Sequence, residues 1–322
     1  MGRPTIVTTA TGAGEHDERW LRRVERLIPG RRGPVAGDFR LAQRNIYILP
    51  SRAGAAFIGA LLLMFLVTVN FGLSLGYGLT FLLGSLGLVG MMHTFRNLSA
   101  LVRSLQEASK HPPLISIDQE GGIVARLRDG FSESPGAMAL GAAGSEDLAE
   151  RVSHALGTEL RALGINFNLA PVVDIGHDSS NPVISTRTLG ANAGQVAQLA
   201  VAQVRGFQSA GVGACAKHFP GHGNTPVDSH VSLPVVSGSL DFLWAHDLVP
   251  FRAVVDAGIA SVMISHVKFE EIDPDYPSTM SPKIITGMLR EEIGFDGLIV
   301  TDCMEMQAIT QNYGAGESAV LA

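Results

Sequence analysis

The chain has 322 residues and a net charge of −6, and its charge is divided unevenly. Residues 1–103 hold twelve arginines and five acidic residues, whereas residues 104–322 hold twelve basic and twenty-five acidic residues. The acidic second part gives no support to a nucleic-acid partner, because it would repel phosphate. Two cysteines, Cys215 and Cys303, cannot build a disulfide framework. We therefore expect two regions with different surroundings.

A run without charged side chains covers residues 53–92 and is about twice the roughly 20 residues that cross a bilayer. Asn70-Phe71-Gly72 near its middle predicts a turn between two spans, 53–69 and 73–92. Arginines flank both ends of the run, which predicts that both ends lie in the cytoplasm. Membrane lipid is thus a predicted partner, and a buried helical hairpin of a soluble domain is the alternative.

The flanks of this hairpin, Arg44–Ser51 and Thr94–Leu98, resemble the membrane-proximal start of a bacterial family of unknown function. The sequence that follows does not continue this resemblance, so the chain has the pattern of a fusion of two unrelated genes. We predict a basic cytoplasmic segment at 1–45, a transmembrane helical hairpin at 46–103 and a second domain at 104–322. The predicted location is the cytoplasmic side of the inner membrane, or the cytoplasm if the fusion is an artefact.

Apolar runs alternate with helix-period stretches in the second domain. Strands are predicted at Leu114–Ile117, Ile165–Leu169, Val212–Ala216, Ser261–Ser265 and Leu298–Thr301, with a sixth at Val172–Ile175. Helices are predicted at Asp147–Leu163, Ala191–Ala210, Leu243–Ala257 and Pro282–Glu292. This alternation predicts an α/β fold with a parallel sheet, either a barrel or a doubly wound sheet.

The segment from Lys217 to His230 holds three histidines, a lysine and an aspartate within fourteen residues. The preceding strand ends at Lys217 and His218, and α/β barrels hold catalytic groups at this end of their strands. Asp228 lies two positions before His230, and a carboxylate beside an imidazole fixes its tautomer and raises its basicity. The segment therefore favours proton-transfer chemistry over a polar loop with incidental histidines.

Five motifs in order resemble glycoside hydrolase family 3, in its β-N-acetylglucosaminidase branch. They are Ile115–Leu127, Asn166–Asp174, Asn181–Gly190, Lys217–His230 and Gly297–Met306. The resemblance implies a (β/α)8 TIM-type barrel and retaining hydrolysis without a metal or other cofactor. Since only five or six of the eight strands are found, we expect the barrel to be incomplete.

The resemblance implies that Asp302, at the end of a strand, is the nucleophile and forms a covalent glycosyl-aspartate. It assigns the acid/base role to His230, held by Asp228. Substrate-binding groups are expected at Asp118, Arg126, Arg187, Lys217 and His218. Supporting positions are expected for Glu120, His222 and His266, and Cys303 is expected to be a packed strand residue. An internal ion pair between Glu120 and Arg126 is the alternative for those two residues.

The substrate that the resemblance implies is an N-acetylglucosamine-containing muropeptide or cell-wall disaccharide, in peptidoglycan recycling. A metal-dependent hydrolase using His218, His222, His230 and Asp302 is disfavoured, because Pro220 and Gly221 prevent the first two histidines from sharing a helix face. A β-glucosidase, a phosphorolytic relative and a catalytically incompetent membrane-anchored fragment remain as alternatives. No feature of the sequence identifies a protein partner.

Overall fold

The computed structural model describes residues 95–178, 181–225, 228–229 and 231–322. The predicted cytoplasmic segment and both predicted spans of the hairpin, within 1–92, lie outside these residues, so they stay predictions. Among the helices that the structure describes, none has both the length and the apolar character required to cross a membrane.

The described residues belong to two compact units. The smaller contains a helix over 95–108, and in it the rings of Phe95 and Phe131 stack with centroids 6.4 Å apart. The predicted domain boundary at residues 103 and 104 falls inside this helix. The larger unit comprises Leu114–Arg126 and Ser132–Ala322 and carries all the elements that follow.

A parallel sheet forms the centre of the larger unit. Its strands, in spatial order, are β1 (Ser116–Ile117), β4 (Phe167–Asn168), β5 (Gly213–Phe219), β7 (Ser261–Ile264) and β9 (Leu298–Thr301). These are the five strands that the apolar runs predict. The sixth predicted strand is reduced to a single bridge between Val172 and Lys217. In the described part of the chain the sheet thus has five of the eight strands that a complete barrel requires, with β1 and β9 at its edges.

Two small sheets lie in the connections that follow the main strands. β2 (Gln119–Gly121) pairs antiparallel with β3 (Val124–Ala125), and β6 (Val235–Val236) pairs parallel with β8 (Lys268–Phe269). The sequence analysis does not predict them, because two or three residues are too few for a periodic pattern.

Helices alternate with the strands, as the sequence predicts. They are Ala137–Ala143, Glu146–Ala162, Ala193–Ser209, Leu240–Ala245, Leu248–Asp256, the π-helix Lys283–Glu292, Gln307–Thr310 and Ala315–Leu321, with 3-10 turns at Ser185–Arg187 and Ser278–Met280. The Ser145 and Asn192 side chains accept the backbone N–H groups of Leu148 and Gln195 and begin the two longest helices.

The prediction of one helix over Leu243–Ala257 is wrong, because two helices separated at His246 and Asp247 occupy this region. Pro250 has no N–H to donate to the carbonyl of His246, so a continuous helix would lose this bond. In the observed structure Pro250 lies in the first turn of the second helix, where its N–H is not required.

The central strands β4, β5 and β7 are buried on both faces, as expected for parallel strands with helices outside, whereas the edge strands β1 and β9 are half-buried. On β5, Ala214 and Ala216 join the core formed with the helices, whereas Cys215 joins a separate apolar cluster with Phe167 and Met263. Val300 of β9 packs against the same cluster. This second cluster therefore lines the inner face of the sheet.

Candidate active site

Polar side chains meet where the inner apolar cluster ends. Side chains two positions apart on a strand share a face, so Lys217 follows Cys215 and Asp302 follows Val300 along the inner face. Asp118 comes directly after β1. Period-two alternation and a parallel sheet are thus sufficient to bring three distant parts of the sequence together at one end of the strands.

Lys217 forms the centre of an ion-paired group. Its side chain is 3% exposed, and its Nζ lies 2.8 Å from Asp118 Oδ1 and 2.7 Å from Glu120 Oε1. Burial alone would lower the pKa of Lys217, but the Glu120 and Asp118 carboxylates raise it. Lys217 is therefore a fixed cation.

Arg187 binds the other side of the Glu120 carboxylate through two parallel hydrogen bonds. Arg187 Nε lies 2.9 Å from Oε2, and Nη2 lies 2.8 Å from Oε1. Burial opposes the charge on Glu120, but Lys217 and Arg187 lower its pKa to about 2. The alternative ion pair between Glu120 and Arg126 is wrong, since Arg126 is exposed and lies 3.8 Å from Asp118 Oδ2 instead.

Asp174 is a buried residue of the site to which the sequence analysis assigns no role. Its Oδ2 accepts the backbone N–H of His218 at 3.1 Å and lies 2.7 Å from His218 Nδ1. Its Oδ1 accepts the backbone N–H of His222 at 2.7 Å. Burial raises the pKa of Asp174, but His218 and His222 outweigh this effect and lower it. The sequence signal that could have identified Asp174 is its position directly after the apolar pair Val172-Val173.

His218 is held in place by these contacts, and its Nε2 lies 3.5 Å from Arg187 Nη2. The peptide bond between Lys217 and His218 is cis. The side chain of His218 is 6% exposed, and its charge lowers the pKa of Asp302.

The His222 side chain forms its hydrogen bonds within the loop that follows β5. Its Nδ1 lies 2.6 Å from Thr225 Oγ1, and its Nε2 lies 3.1 Å from Ser229 Oγ. Burial first, and then the charge of His218, lowers the pKa of His222 to about 4. A neutral ring with both nitrogens hydrogen-bonded is consistent with the predicted supporting position.

Asp302 lies one residue beyond β9. Its backbone N–H donates to Ile264 O at 3.0 Å, and its Oδ1 accepts the N–H of Cys303 at 2.7 Å. Burial raises the pKa of Asp302, but His218, His266 and the Cys303 N–H lower it below its usual value. The carboxylate is therefore ionised near neutral pH.

Cys303 is exposed, so the expectation that it packs as a strand residue is wrong. β9 ends at Thr301, so Cys303 lies two residues beyond the strand. The carbonyl of Cys303 lies 3.0 Å from Nε2 of the buried His266. His266, which is predicted to be a supporting residue, thus lies against the turn that carries Asp302.

His230 lies outside the described residues, so its predicted acid/base role stays a prediction. Asp228 is partly buried, and its carbonyl accepts the backbone N–H groups of Val231 and Ser232 at 2.9 and 3.1 Å. Among the residues that the structure describes, no three His, Cys, Asp or Glu side chains are arranged to hold a metal ion.

The chain belongs to glycoside hydrolase family 3, because the family model for its N-terminal domain matches residues 80–322. The match begins within the second predicted span of the hairpin, 73–92. The β-hexosaminidase of Thiobacillus denitrificans is 41% identical over 215 residues, which cover 64% of this chain and 59% of that protein.

Solved structures of the same family have a similar fold. A β-N-acetylglucosaminidase from a Paenibacillus species is 49% identical with a TM-score of 0.70, over 71% of this chain and 44% of that one. NagZ from Neisseria gonorrhoeae, solved in complex with N-trifluoroacetyl-D-glucosamine, is 36% identical with a TM-score of 0.65, over 70% and 66% of the two chains. The chain spans 40% to 63% of the length of the first four curated β-hexosaminidases that it matches.

Proposed function

We propose that this chain hydrolyses terminal β-N-acetylglucosaminides with retention of configuration. The observation that carries the proposal is the ionised Asp302 carboxylate at the end of β9, beside the cationic groups of the site. A retaining glycosidase requires such a carboxylate to attack the anomeric carbon and to form a glycosyl-enzyme intermediate. Cations around it keep it ionised when substrate displaces water.

The sugar would bind against the ion-paired group. Asp118 offers acceptor oxygens and is about one-third exposed, while Lys217 and Arg187 offer N–H donors that already have fixed positions. Preorganised groups of this kind recognise hydroxyl or acetamido oxygens without reorganisation. His218 and the exposed Arg126 complete the proposed contacts. The names of the relatives support an N-acetylglucosamine-containing saccharide as the substrate.

His230, held by Asp228, would donate a proton to the leaving oxygen and then accept one from water. An imidazole titrates near neutral pH and so serves both steps. Other groups within reach are less suited to this role: His222 has a pKa of about 4, and Glu120 has a pKa of about 2 and is bound by two cations.

The natural substrate would be a muropeptide or a cell-wall disaccharide, as in peptidoglycan recycling, and the domain would act on the cytoplasmic side of the inner membrane. The uncharged run at 53–92 and the flanking arginines support this location. Extraction of isolated membranes with alkaline carbonate tests the anchor, and release of the full chain into the supernatant would contradict it.

Hydrolysis of a chromogenic β-N-acetylglucosaminide by the full chain tests the activity. We expect release that falls on the order of 10⁴-fold in Asp302→Ala. Asp302→Asn serves as the matched variant, since it keeps an oxygen for the Cys303 N–H but is a poor nucleophile. Equal rates for the chain and both variants would show that Asp302 is not the nucleophile.

Three alternatives are decided by the same assay. Faster release from a β-glucoside would identify a glucosidase, and a rate that depends on phosphate would identify phosphorolysis. No release from a folded chain would identify a fragment that retains the motifs without activity.

A further inference from the structure

His266 is completely buried two residues beyond the end of β7, and both of its ring nitrogens have a partner. Nδ1 lies 2.6 Å from Thr279 Oγ1, and Nε2 lies 3.0 Å from the carbonyl oxygen of Cys303. A neutral imidazole has one donor and one acceptor nitrogen, whereas an imidazolium has two donors. The protons that the partners supply therefore determine which form fits.

Both partners require a proton from the ring. The carbonyl oxygen of Cys303 can only accept. The Thr279 hydroxyl has a single proton, which it donates to Ser265 O at 2.8 Å, so its oxygen is left to accept from Nδ1. The contacts of Thr279 and Cys303 are all satisfied when both ring nitrogens of His266 carry a proton.

Each neutral form leaves two acceptors in contact. With a proton on Nε2 alone, the Thr279 hydroxyl must donate to Nδ1, and its oxygen then lies 2.8 Å from Ser265 O without a proton between them. With a proton on Nδ1 alone, the Nε2 lone pair lies 3.0 Å from Cys303 O. A buried contact of this kind is unfavourable.

We propose that His266 is an imidazolium throughout the pH range in which the protein functions, and that it positions the Asp302–Cys303 turn and stabilises the charge on Asp302. The turn has two supports of opposite kind. Cys303 donates its N–H to the Asp302 carboxylate and receives the Nε2–H of His266 at its carbonyl. The imidazolium therefore acts on the carboxylate through its charge and by holding Cys303, whose N–H binds the carboxylate, in place.

Asp302 supplies the opposite charge that a buried cation requires. The charged groups that act on it include His218 and Lys217 from β5, Arg187 from the 3-10 turn and His266. Lys217 and Arg187 are already paired with Glu120. In the contacts described above, the ring nitrogens of His266 lie against a hydroxyl oxygen and a carbonyl oxygen.

The charge of His266 can be measured without any substrate. We expect the ¹⁵N shifts of both ring nitrogens, assigned by comparison with His266→Gln, to stay at imidazolium values from pH 5 to pH 8. A ring that is neutral at pH 7, or that titrates near pH 6.5, would overturn the proposal. This result does not depend on the proposed activity.

Thr279 provides a matched pair of variants. Thr279→Val removes the oxygen that accepts Nδ1–H, so the ring should titrate within this range, whereas Thr279→Ser keeps the oxygen and should leave the ring charged. An imidazolium that persists unchanged in Thr279→Val would contradict the role assigned to the hydroxyl.

The catalytic consequence rests on the proposed function. In His266→Gln, loss of the positive charge should move the acidic limb of kcat/KM upward by roughly one pH unit. Thr279→Ser should leave the limb in place. A loss of rate that is equal at every pH would show a purely structural role, and absence of hydrolysis in the unchanged chain would reject the proposed function without affecting the NMR result.

Discussion

The two sides of the candidate site are held together by different interactions. On the side of β1 and β5, Lys217 and Arg187 meet Asp118 and Glu120, and each of these charges has an opposite charge within 3 Å. On the side of β9, the only hydrogen bond to the Asp302 carboxylate from a described residue comes from the Cys303 N–H. We call these the paired side and the Asp302 side.

The difference separates a binding surface from a reacting group. Carboxylates that are neutralised by close cations fix the geometry of a site but are poor nucleophiles, because their lone pairs are occupied by hydrogen bonds. A carboxylate kept ionised by cations that do not form ion pairs with it retains lone pairs for chemistry. Stability and reactivity should therefore respond differently to substitutions on the two sides.

The largest effect on stability is expected from Glu120→Gln. It leaves Lys217 and Arg187 as buried cations without their shared carboxylate, which should lower the free energy of unfolding by about 3–5 kcal/mol. Asp302→Asn breaks no hydrogen-bonded ion pair, although it removes the opposite charge of His266, and should cost only about 1–2 kcal/mol while it abolishes activity. Urea denaturation of both variants measures the contrast.

Exposed Glu291 provides the control, and Glu291→Gln should stay within about 0.5 kcal/mol of the unchanged chain. Equal losses of stability in Glu120→Gln and Asp302→Asn would remove the distinction between the two sides.

Acid should weaken the paired side selectively. The pKa of Glu120 is about 2 in the folded chain, against an ordinary value of 4.5 for a glutamate. Its contribution is therefore complete above pH 4.5 and is lost as the pH falls toward 2, with a total of roughly 3 kcal/mol. The difference in unfolding free energy between the unchanged chain and Glu120→Gln should shrink from pH 6 to pH 3, and a constant difference would contradict the assignment.

Close packing of the loop after β5 provides the next prediction. A methyl group on Gly223 would lie 1.8 Å from Ile175 O, whereas one on Gly287 would meet nothing within 4 Å. Gly223→Ala should therefore lower the free energy of unfolding by about 1–3 kcal/mol, and Gly287→Ala should not lower it. Thermal unfolding compares the two, and tolerance of Gly223→Ala would show that the loop is not held at this point.

The smallest effect is expected where His177 meets the start of the helix Leu248–Asp256. His177 Nε2 lies 2.7 Å from Asp247 Oδ1, and this hydrogen bond raises the pKa of His177. The contribution is therefore complete below about pH 6.5 and is lost as the pH rises through the folded pKa. Asp247→Asn should cost on the order of 1–2 kcal/mol at pH 6 and less at pH 9. A cost that does not change with pH would show that the charge of His177 plays no part.

Much of the fold follows from local patterns in the sequence. The five apolar runs become the five strands, and the helices that begin at Glu146, Ala193 and Lys283 start within two residues of the predicted positions. Helix starts and buried strands can be predicted from the sequence, because the hydrogen bonds and the periodicity that define them involve residues close in the chain. The break at His246 was missed even though Pro250 was its local cause.

The candidate residues could be named from the sequence, but their partners could not. The motifs predict Asp118, Lys217 and Asp302, yet the role of Asp174, the pairing of Glu120 with Lys217 and Arg187, and the double contact of His266 join residues that are tens of positions apart. Sequence by itself determined which residue types end the strands, because that depends on local order. Only the tertiary structure decided which charges neutralise each other and which remain available, because Coulomb energies and desolvation depend on distances and burial that no short segment contains.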